Sequence, residues 1–186
     1  KWLFLILLFP LICVAQTYRY LGVEDGLSNR RVYCIQKDKT GYMWFLTHEG
    51  IDRYNGKEFK RYKLMDGDAE VNSLLNLNWL YIDQEGVLWE IGKKGKVFRY
   101  DQIHDCFSLV YKLPMESFSE QPDPVTYAWL DQNKHIWLCN KDTIFLYNTD
   151  TKQVTHIKND ISEEITDIEQ IDESHFFIGT ETVSYT

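Results

Sequence analysis

The sequence is poor in the residues that several protein classes require. Its 186 residues include only 4 Pro and 10 Gly, which excludes collagen-like and linker-like chains. Its 20 Lys and Arg residues are outnumbered by 28 Asp and Glu residues, and the net charge is −8. Because affinity for nucleic acids depends on clustered basic residues, we expect no nucleic-acid partner for this segment.

Cysteine and histidine are also sparse and scattered. Cys34, Cys106 and Cys139 lie far apart in the chain, so neither a disulfide framework nor a metal knuckle is expected. The five histidines show no zinc-type spacing, and no Gly-x-Ser-x-Gly nucleophile motif is present. We therefore predict no catalytic residue, no metal site and no cofactor, and no enzyme activity for this chain.

One apolar run stands apart from the rest of the chain, at its N-terminus. The run covers residues 2–14, which is shorter than the roughly 20 residues that a membrane-spanning helix needs. Cys13-Val14-Ala15 then supplies the small residues that a signal peptidase requires. Residues 1–15 are therefore predicted to be a signal peptide, and the mature chain to be exported.

The strongest signal is a short pattern that occurs four times, in which an aspartate precedes a turn and an aromatic residue. The leading aspartates recur after 45, 48 and 41 residues, and a tyrosine follows each copy. The copies begin at Asp38, Asp83, Asp131 and Asp172, the aromatic residues are Trp44, Trp89, Trp137 and Phe177, and the tyrosines are Tyr54, Tyr100, Tyr147 and Tyr185. Repeats of about 40 to 50 residues are typical of β-propellers.

Each unit also contains the strands that a propeller blade needs. An apolar run precedes each aspartate and a second run surrounds the aromatic residue, with a turn suited to a tight hairpin between them. In the first unit Asn55-Gly56 marks another hairpin, after which residues 59–62 supply a fourth strand. We predict an all-β fold of four-stranded antiparallel blades, an incomplete propeller of about three and a half to four blades. Each tryptophan is expected on the second strand, packed between adjacent blades.

Three strings carry a specific resemblance. Glu24-Asp25-Gly26-Leu27-Ser28-Asn29, Asp38-Lys39-Thr40-Gly41-Tyr42-Met43-Trp44-Phe45 and Glu49-Gly50-Ile51-Asp52-Arg53-Tyr54-Asn55-Gly56 resemble the two-component regulator propeller repeat. This resemblance implies the periplasmic sensor region of a bacterial hybrid histidine kinase. Many such kinases respond to oligosaccharides, and the parent protein would be a homodimer anchored in the inner membrane.

The repeat divides the chain into six segments. They are 1–15, the signal peptide; 16–28, an N-terminal strand that closes a missing last blade; 29–64, blade 1; 65–113, blade 2; 114–160, blade 3; and 161–186, a partial blade 4. The chain is thus interpreted as an N-terminal fragment of a sensor. The remaining blades and domains of the parent are expected partners.

Arg30 and Arg31 are the candidate ligand-binding residues. They lie directly before the first inner strand, and the loops that enter the inner strands form one face of a propeller. Guanidinium groups there could bind a carboxylated or sulfated sugar in a bidentate manner. The alternative is that both are ordinary solvent-facing charges.

Other motifs favour structural interpretations. Residues 92–95 (Gly-Lys-Lys-Gly) fit a turn between strands better than a phosphate loop, and residues 66–70 fit a solvated loop between blades better than a calcium loop. Six carboxylates between residues 163 and 173 fit a solvated face better than a catalytic acid pair. The inner-strand aromatics could face either the channel or the blade stack; they are Trp79, Tyr81, Tyr127 and Trp129.

Two other functions are alternatives to ligand sensing. An exported propeller enzyme acting on glycans, a lyase or a hydrolase, would carry carboxylate, His or Tyr groups on one face. A protein-interaction scaffold is the third possibility.

Residues 16–186 expressed alone are predicted to expose unpaired sheet edges and to aggregate or stay partly open. Light scattering and thermal unfolding would test this. A sharp, monomeric and cooperative transition would contradict it.

Overall fold

The computed structural model describes residues 18–71, 77–113, 125–160 and 163–181, with no side-chain description for residues 77 and 78. The predicted signal peptide and Tyr185 lie outside these ranges. Within them the chain is all-β, with sixteen strands in four separate sheets. The predicted fold class, successive propeller blades, is confirmed.

The first and third sheets are four-stranded antiparallel blades in simple chain order. Blade 1 contains β1 (Val32–Lys37), β2 (Met43–Thr47), β3 (Gly50–Tyr54) and β4 (Phe59–Tyr62). Blade 3 contains β11 (Tyr127–Leu130), β12 (His135–Cys139), β13 (Thr143–Asn148) and β14 (Val154–Lys158). The described part of blade 4 is the hairpin of β15 (Ile165–Gln170) and β16 (Phe176–Thr180).

Blade 2 has four strands of its own and two additional ones at its outer edge. The four are β7 (Leu77–Ile82), β8 (Leu88–Gly92), β9 (Lys96–Asp101) and β10 (Cys106–Lys112). The additional hairpin joins β5 (Leu64–Asp66) to β6 (Ala69–Val71), and β5 pairs in parallel with β10. Residues 66–70 are exposed, as predicted, but they belong to this hairpin and not to an irregular loop between blades. The backbone of β5 satisfies its hydrogen bonds on the free edge of blade 2, and the 64/65 segment boundary falls within this strand.

The segment before blade 1 also differs from the prediction. Residues 18–22 form no strand, and Val23–Asp25 form a single 3-10 turn that ends at Gly26 with a φ of 105°. Tyr18 and Tyr20 are 81% and 95% exposed. The partner strand that an edge strand would need does not occur among the described residues.

The leading aspartate of each of the first three units joins the hairpin turn to the tryptophan. The backbone N–H four residues after the aspartate donates to its Oδ1 over 3.0, 2.8 and 2.7 Å. The indole Nε1 donates to the other oxygen over 2.7 Å in Trp44–Asp38, 2.9 Å in Trp89–Asp83 and 2.9 Å in Trp137–Asp131. We call this arrangement the aspartate–tryptophan clamp. It lets a buried indole keep its hydrogen bond.

The fourth unit lacks the clamp. Ile171 occupies the position of the leading aspartate, because its N–H donates to the His175 carbonyl as Asp131 donates to that of His135. Asp172 instead accepts hydrogen bonds from the turn residues Ser174 and His175. Phe177, which replaces tryptophan, has no N–H that requires an acceptor.

Three apolar layers pack the blades against each other. The tryptophans lie on the second strands as predicted, and each contacts the following blade. The layer between blades 1 and 2 includes Trp44, Leu46, Ile51, Leu80 and Phe98, all at most 2% exposed. The opposite face of blade 1 leaves Tyr33 and Ile35 about half exposed, at 49% and 52%.

Replacing Asp83 with Ala should lower the free energy of unfolding by about 2 to 4 kcal/mol, because the Val87 N–H and the Trp89 indole both lose their acceptor. The matched control is Asp172→Ala, which removes an acceptor from an exposed turn and should cost less. Urea denaturation measures both. In a double-mutant cycle with Trp89→Phe, we expect a coupling energy of about 1 kcal/mol. Equal losses for Asp83→Ala and Asp172→Ala would show that the clamp is not stabilising.

Candidate functional site

Arg30 and Arg31 lie beside the turn between β2 and β3. The His48 N–H donates to the Arg31 carbonyl over 3.0 Å, which joins this turn to the segment entering β1. Asn29, Arg30, Arg31 and His48 line an open depression of about 590 Å³. The two predicted residues are therefore adjacent at one edge of blade 1.

The two arginines differ in their local partners. Arg30 forms an ion pair with Glu24 over 2.9 Å, with both side chains mostly exposed. Exposed pairs of this kind contribute little stability. The Arg31 guanidinium has no carboxylate partner among the residues that the structure describes. Arg31 is thus the more available of the two for a ligand.

A hydrogen-bonded clasp beneath the arginines holds their segment on blade 1. The Ser28 N–H and hydroxyl donate to Asp52 Oδ2 over 2.8 and 2.5 Å, and the Ser28 hydroxyl also lies 2.8 Å from that of Thr47. Asp52 is fully buried. Burial raises the pKa of Asp52, although the two hydrogen bonds from Ser28 oppose the increase. No local pattern predicts this clasp, whose one sign in the sequence is an aspartate within a predicted strand.

The same edge of blade 2 carries Lys93 and Lys94. They lie in the turn between β8 and β9, which is equivalent to the β2–β3 turn of blade 1. The prediction that residues 92–95 form an inter-strand turn is confirmed. The sequence alone does not place these lysines at the edge that holds Arg30 and Arg31, because their position depends on how the two blades align.

A second groove, of about 680 Å³, lies between blades 1 and 2 at the opposite edge. The Arg53 guanidinium lies 4.5 Å from the ring centre of Tyr42 and 5.2 Å from that of Tyr62. Asp105 accepts hydrogen bonds from Tyr62, Tyr100 and Lys60. Although burial opposes it, these donors lower the pKa of Asp105 to about 2. Because Arg53 and Asp105 already have protein partners, this groove is a weaker candidate for a charged ligand.

The remaining candidates occupy structural positions. The inner-strand aromatics pack between blades: Trp79 and Tyr81 contact the layer between blades 2 and 3, and Tyr127 and Trp129 that between blades 3 and 4. In the described ranges, no cluster of three or more His, Cys, Asp or Glu side chains could hold a metal ion. Nor does any helix there have the length and hydropathy needed to cross a membrane.

A known family model matches part of the chain. Residues 26–49 match the model described as "two component regulator propeller", and this range contains the Gly-Leu-Ser segment, the first aspartate and the first tryptophan. Residues 26–49 are thus similar to a two component regulator propeller repeat.

Solved structures with similar folds include two extracellular domains of hybrid two component systems. The extracellular domain of the putative hybrid two component system BT3049 from B. thetaiotaomicron is 26% identical over 87% of the chain, with a TM-score of 0.65. The extracellular domain of BT4673 from the same organism is 20% identical over 90% of the chain, with a TM-score of 0.66. The chain spans 24% and 22% of these two proteins.

A third structure shows the fold alone. PorZ, a bacterial surface component of the type-IX secretion system of Porphyromonas gingivalis, is 10% identical over 79% of the chain and 18% of its own, with a TM-score of 0.53. Among curated protein sequences, none matches this chain.

Replacing Ser28 with Ala should lower the free energy of unfolding by about 1 to 3 kcal/mol, because buried Asp52 loses one of its two donors. The loss of stability should grow as the pH rises, because the hydrogen bonds from Ser28 favour the ionised form of Asp52. Burial raises the pKa of Asp52, so its stabilising contribution is complete below the pKa of the unfolded chain and declines as the carboxyl group ionises.

The matched control is Ser174→Ala, which removes an exposed hydroxyl in the turn before β16. Urea denaturation at several pH values measures both variants. A Ser28→Ala variant no less stable than Ser174→Ala would contradict a stabilising clasp.

Proposed function

We propose that this chain is part of the extracellular, ligand-sensing propeller of a hybrid two-component sensor and that it carries no catalytic centre. The supporting observation is its likeness to the extracellular domain of the putative hybrid two component system BT3049, at 26% identity over 87% of the chain. The chain spans 24% of that protein. The kinase domains, the inner-membrane anchor and the homodimer of the parent therefore belong to the proposal as well.

The proposed location is the periplasm, which follows from the sensor assignment and the predicted signal peptide. In this arrangement the propeller would change the signalling state, and so transcription, without chemistry of its own. Ligand binding must then favour one arrangement of the parent dimer over another, since a ligand that binds both equally shifts nothing.

The proposed ligand is an oligosaccharide bearing carboxylate or sulfate groups, bound at the edge that holds Arg31, Lys93 and Lys94. In a chain of net charge −8, Lys93 and Lys94 lie in the β8–β9 turn, and Arg31 lies beside the equivalent β2–β3 turn of blade 1. We call the edge with these three residues the basic edge. Arg31 can bind an anionic group in a bidentate manner, and the lysines can bind as point charges. Arg30 is expected to contribute less, because Glu24 already pairs with it.

Titration calorimetry of the full chain with sulfated, uronate-containing and neutral oligosaccharides tests this function. We expect binding of an anionic series and a loss of about tenfold in affinity, or about 1.4 kcal/mol, for Arg31→Ala. The matched control is Lys57→Ala, at the opposite edge in the β3–β4 turn, which should bind normally.

Two outcomes would contradict the proposal. Binding of neutral sugars alone, or equal losses of affinity for Arg31→Ala and Lys57→Ala, would rule out the basic edge as the binding site. Turnover of the oligosaccharides during the titration would favour the exported glycan enzyme instead.

A further inference from the structure

Glu90 is a carboxyl group inside the apolar layer between blades 1 and 2. It lies on β8 between Trp89 and Ile91, which face blade 3. Its cross-strand neighbours are Leu80 on β7 and Phe98 on β9, and both belong to the layer that faces blade 1. Strand alternation therefore directs Glu90 towards blade 1.

The carboxyl group of Glu90 has no compensating interaction in the part of the chain that the structure describes. The residue is 0% exposed, and neither carboxyl oxygen has a hydrogen-bond partner. An ionised carboxylate in such surroundings is very unfavourable, so the neutral form is preferred. Burial raises the pKa of Glu90 well above its usual range.

No described charge compensates Glu90 from the elements packed against it. Blade 1 contributes Leu46 and Ile51 to the layer. The ionisable groups at this junction are Cys34 on β1, Tyr42 directly before β2, Arg53 on β3, Lys60 and Tyr62 on β4, Tyr100 on β9, and Asp105. The Cys34 thiol donates to the Leu80 carbonyl, and the Tyr42 ring packs against Arg53. The others are joined to one another around Asp105.

The other blades show that a carboxyl group is not required for packing at this position. The cross-strand pair formed by Glu90 and Phe98 corresponds to Phe45 and Asp52 in blade 1 and to Leu138 and Phe145 in blade 3. Blade 3 has leucine where blade 2 has glutamate. Asp52 receives two hydrogen bonds from Ser28, whereas Glu90 receives none from the described residues.

We propose that Glu90 makes the junction between blades 1 and 2 a proton-controlled contact. The neutral carboxyl group stays in the apolar layer and the blades remain packed. When the group loses its proton, it moves to water, and the junction separates locally.

The direction of the pH effect follows from linkage. When folding raises the pKa of a carboxyl group, the group stabilises the packed state fully at pH values below its pKa in the unfolded chain. This stabilisation is lost as the pH rises through its pKa in the folded chain. Between these two values the equilibrium constant for opening should increase about tenfold per pH unit. This inference does not depend on the proposed ligand.

Two natural cysteines report on different junctions. The Cys34 Sγ lies 3.5 Å from the Leu80 carbonyl oxygen across the junction of blades 1 and 2. Cys139 is fully buried in the layer between blades 3 and 4. Cys34 is partly exposed, so opening of its junction should raise its labelling rate above that of the packed state, whereas buried Cys139 should react with a bulky maleimide only when its own junction opens. Peptide mass spectrometry separates the two labelling rates.

The experiment compares the full chain with Glu90→Gln and with Glu90→Leu, the residue type of blade 3, from about pH 5 to about pH 9. At each pH, the labelling rate of each thiol in the unmodified chain is divided by its rate in the variant, which cancels the ionisation of the thiol itself. We expect the Cys34 ratio to increase by up to about tenfold per pH unit, while the Cys139 ratio stays constant. If Glu90→Gln does not fold, Glu90→Leu supplies the reference.

Two results would overturn the proposal. A Cys34 ratio that does not change with pH would show that ionisation of Glu90 does not open the junction. A parallel increase at Cys139 would show that the whole chain unfolds instead.

Discussion

In each of the first three blades, one carboxylate accepts hydrogen bonds from a hairpin turn and from a tryptophan indole. The turn sets the pairing of the first two strands, and the indole packs on the next blade. Strand pairing and blade packing are therefore coupled through a single side chain. This explains why the aspartate and the tryptophan always stand six residues apart, and why a unit with Phe177 can lose the aspartate without leaving a buried donor unsatisfied.

The same architecture places two different sets of turns at the two edges of the blades. Turns that carry the clamp aspartates lie at one edge, and the turns with His48, Lys93 and Lys94 lie at the other. Antiparallel strands in chain order place equivalent turns at the same edge, so residues far apart in sequence form one surface. In the groove at the aspartate edge, Arg53 and Asp105 already have aromatic and charged partners within the protein. At the basic edge Arg30 pairs with Glu24, whereas Arg31 has no carboxylate partner among the described residues.

Local sequence patterns predicted the four-stranded blades, but not the additional hairpin of blade 2, the segment before blade 1 or the Ser28–Asp52 contact. Hairpin turns and the positions of Trp44, Trp89 and Trp137 follow from short-range chemistry, and the structure agrees. The additional β5–β6 hairpin depends on a free edge of blade 2, which residues 64–71 do not reveal by themselves. The strand expected before blade 1 has the right composition but no partner among the described residues. Ser28 and Asp52 are 24 residues apart, so no local pattern connects them.

The sequence by itself determined the all-β class, the period of the repeat and the place of the three tryptophans between blades, because these depend on strand alternation and turn preferences. Only the tertiary structure decided which charges are compensated. Glu90 and Asp52 both look like acids within apolar strands, yet Asp52 has two hydrogen bonds from Ser28 while Glu90 faces apolar side chains. Burial and partners arise from surfaces that meet only after folding, and they set the free energy of a charge.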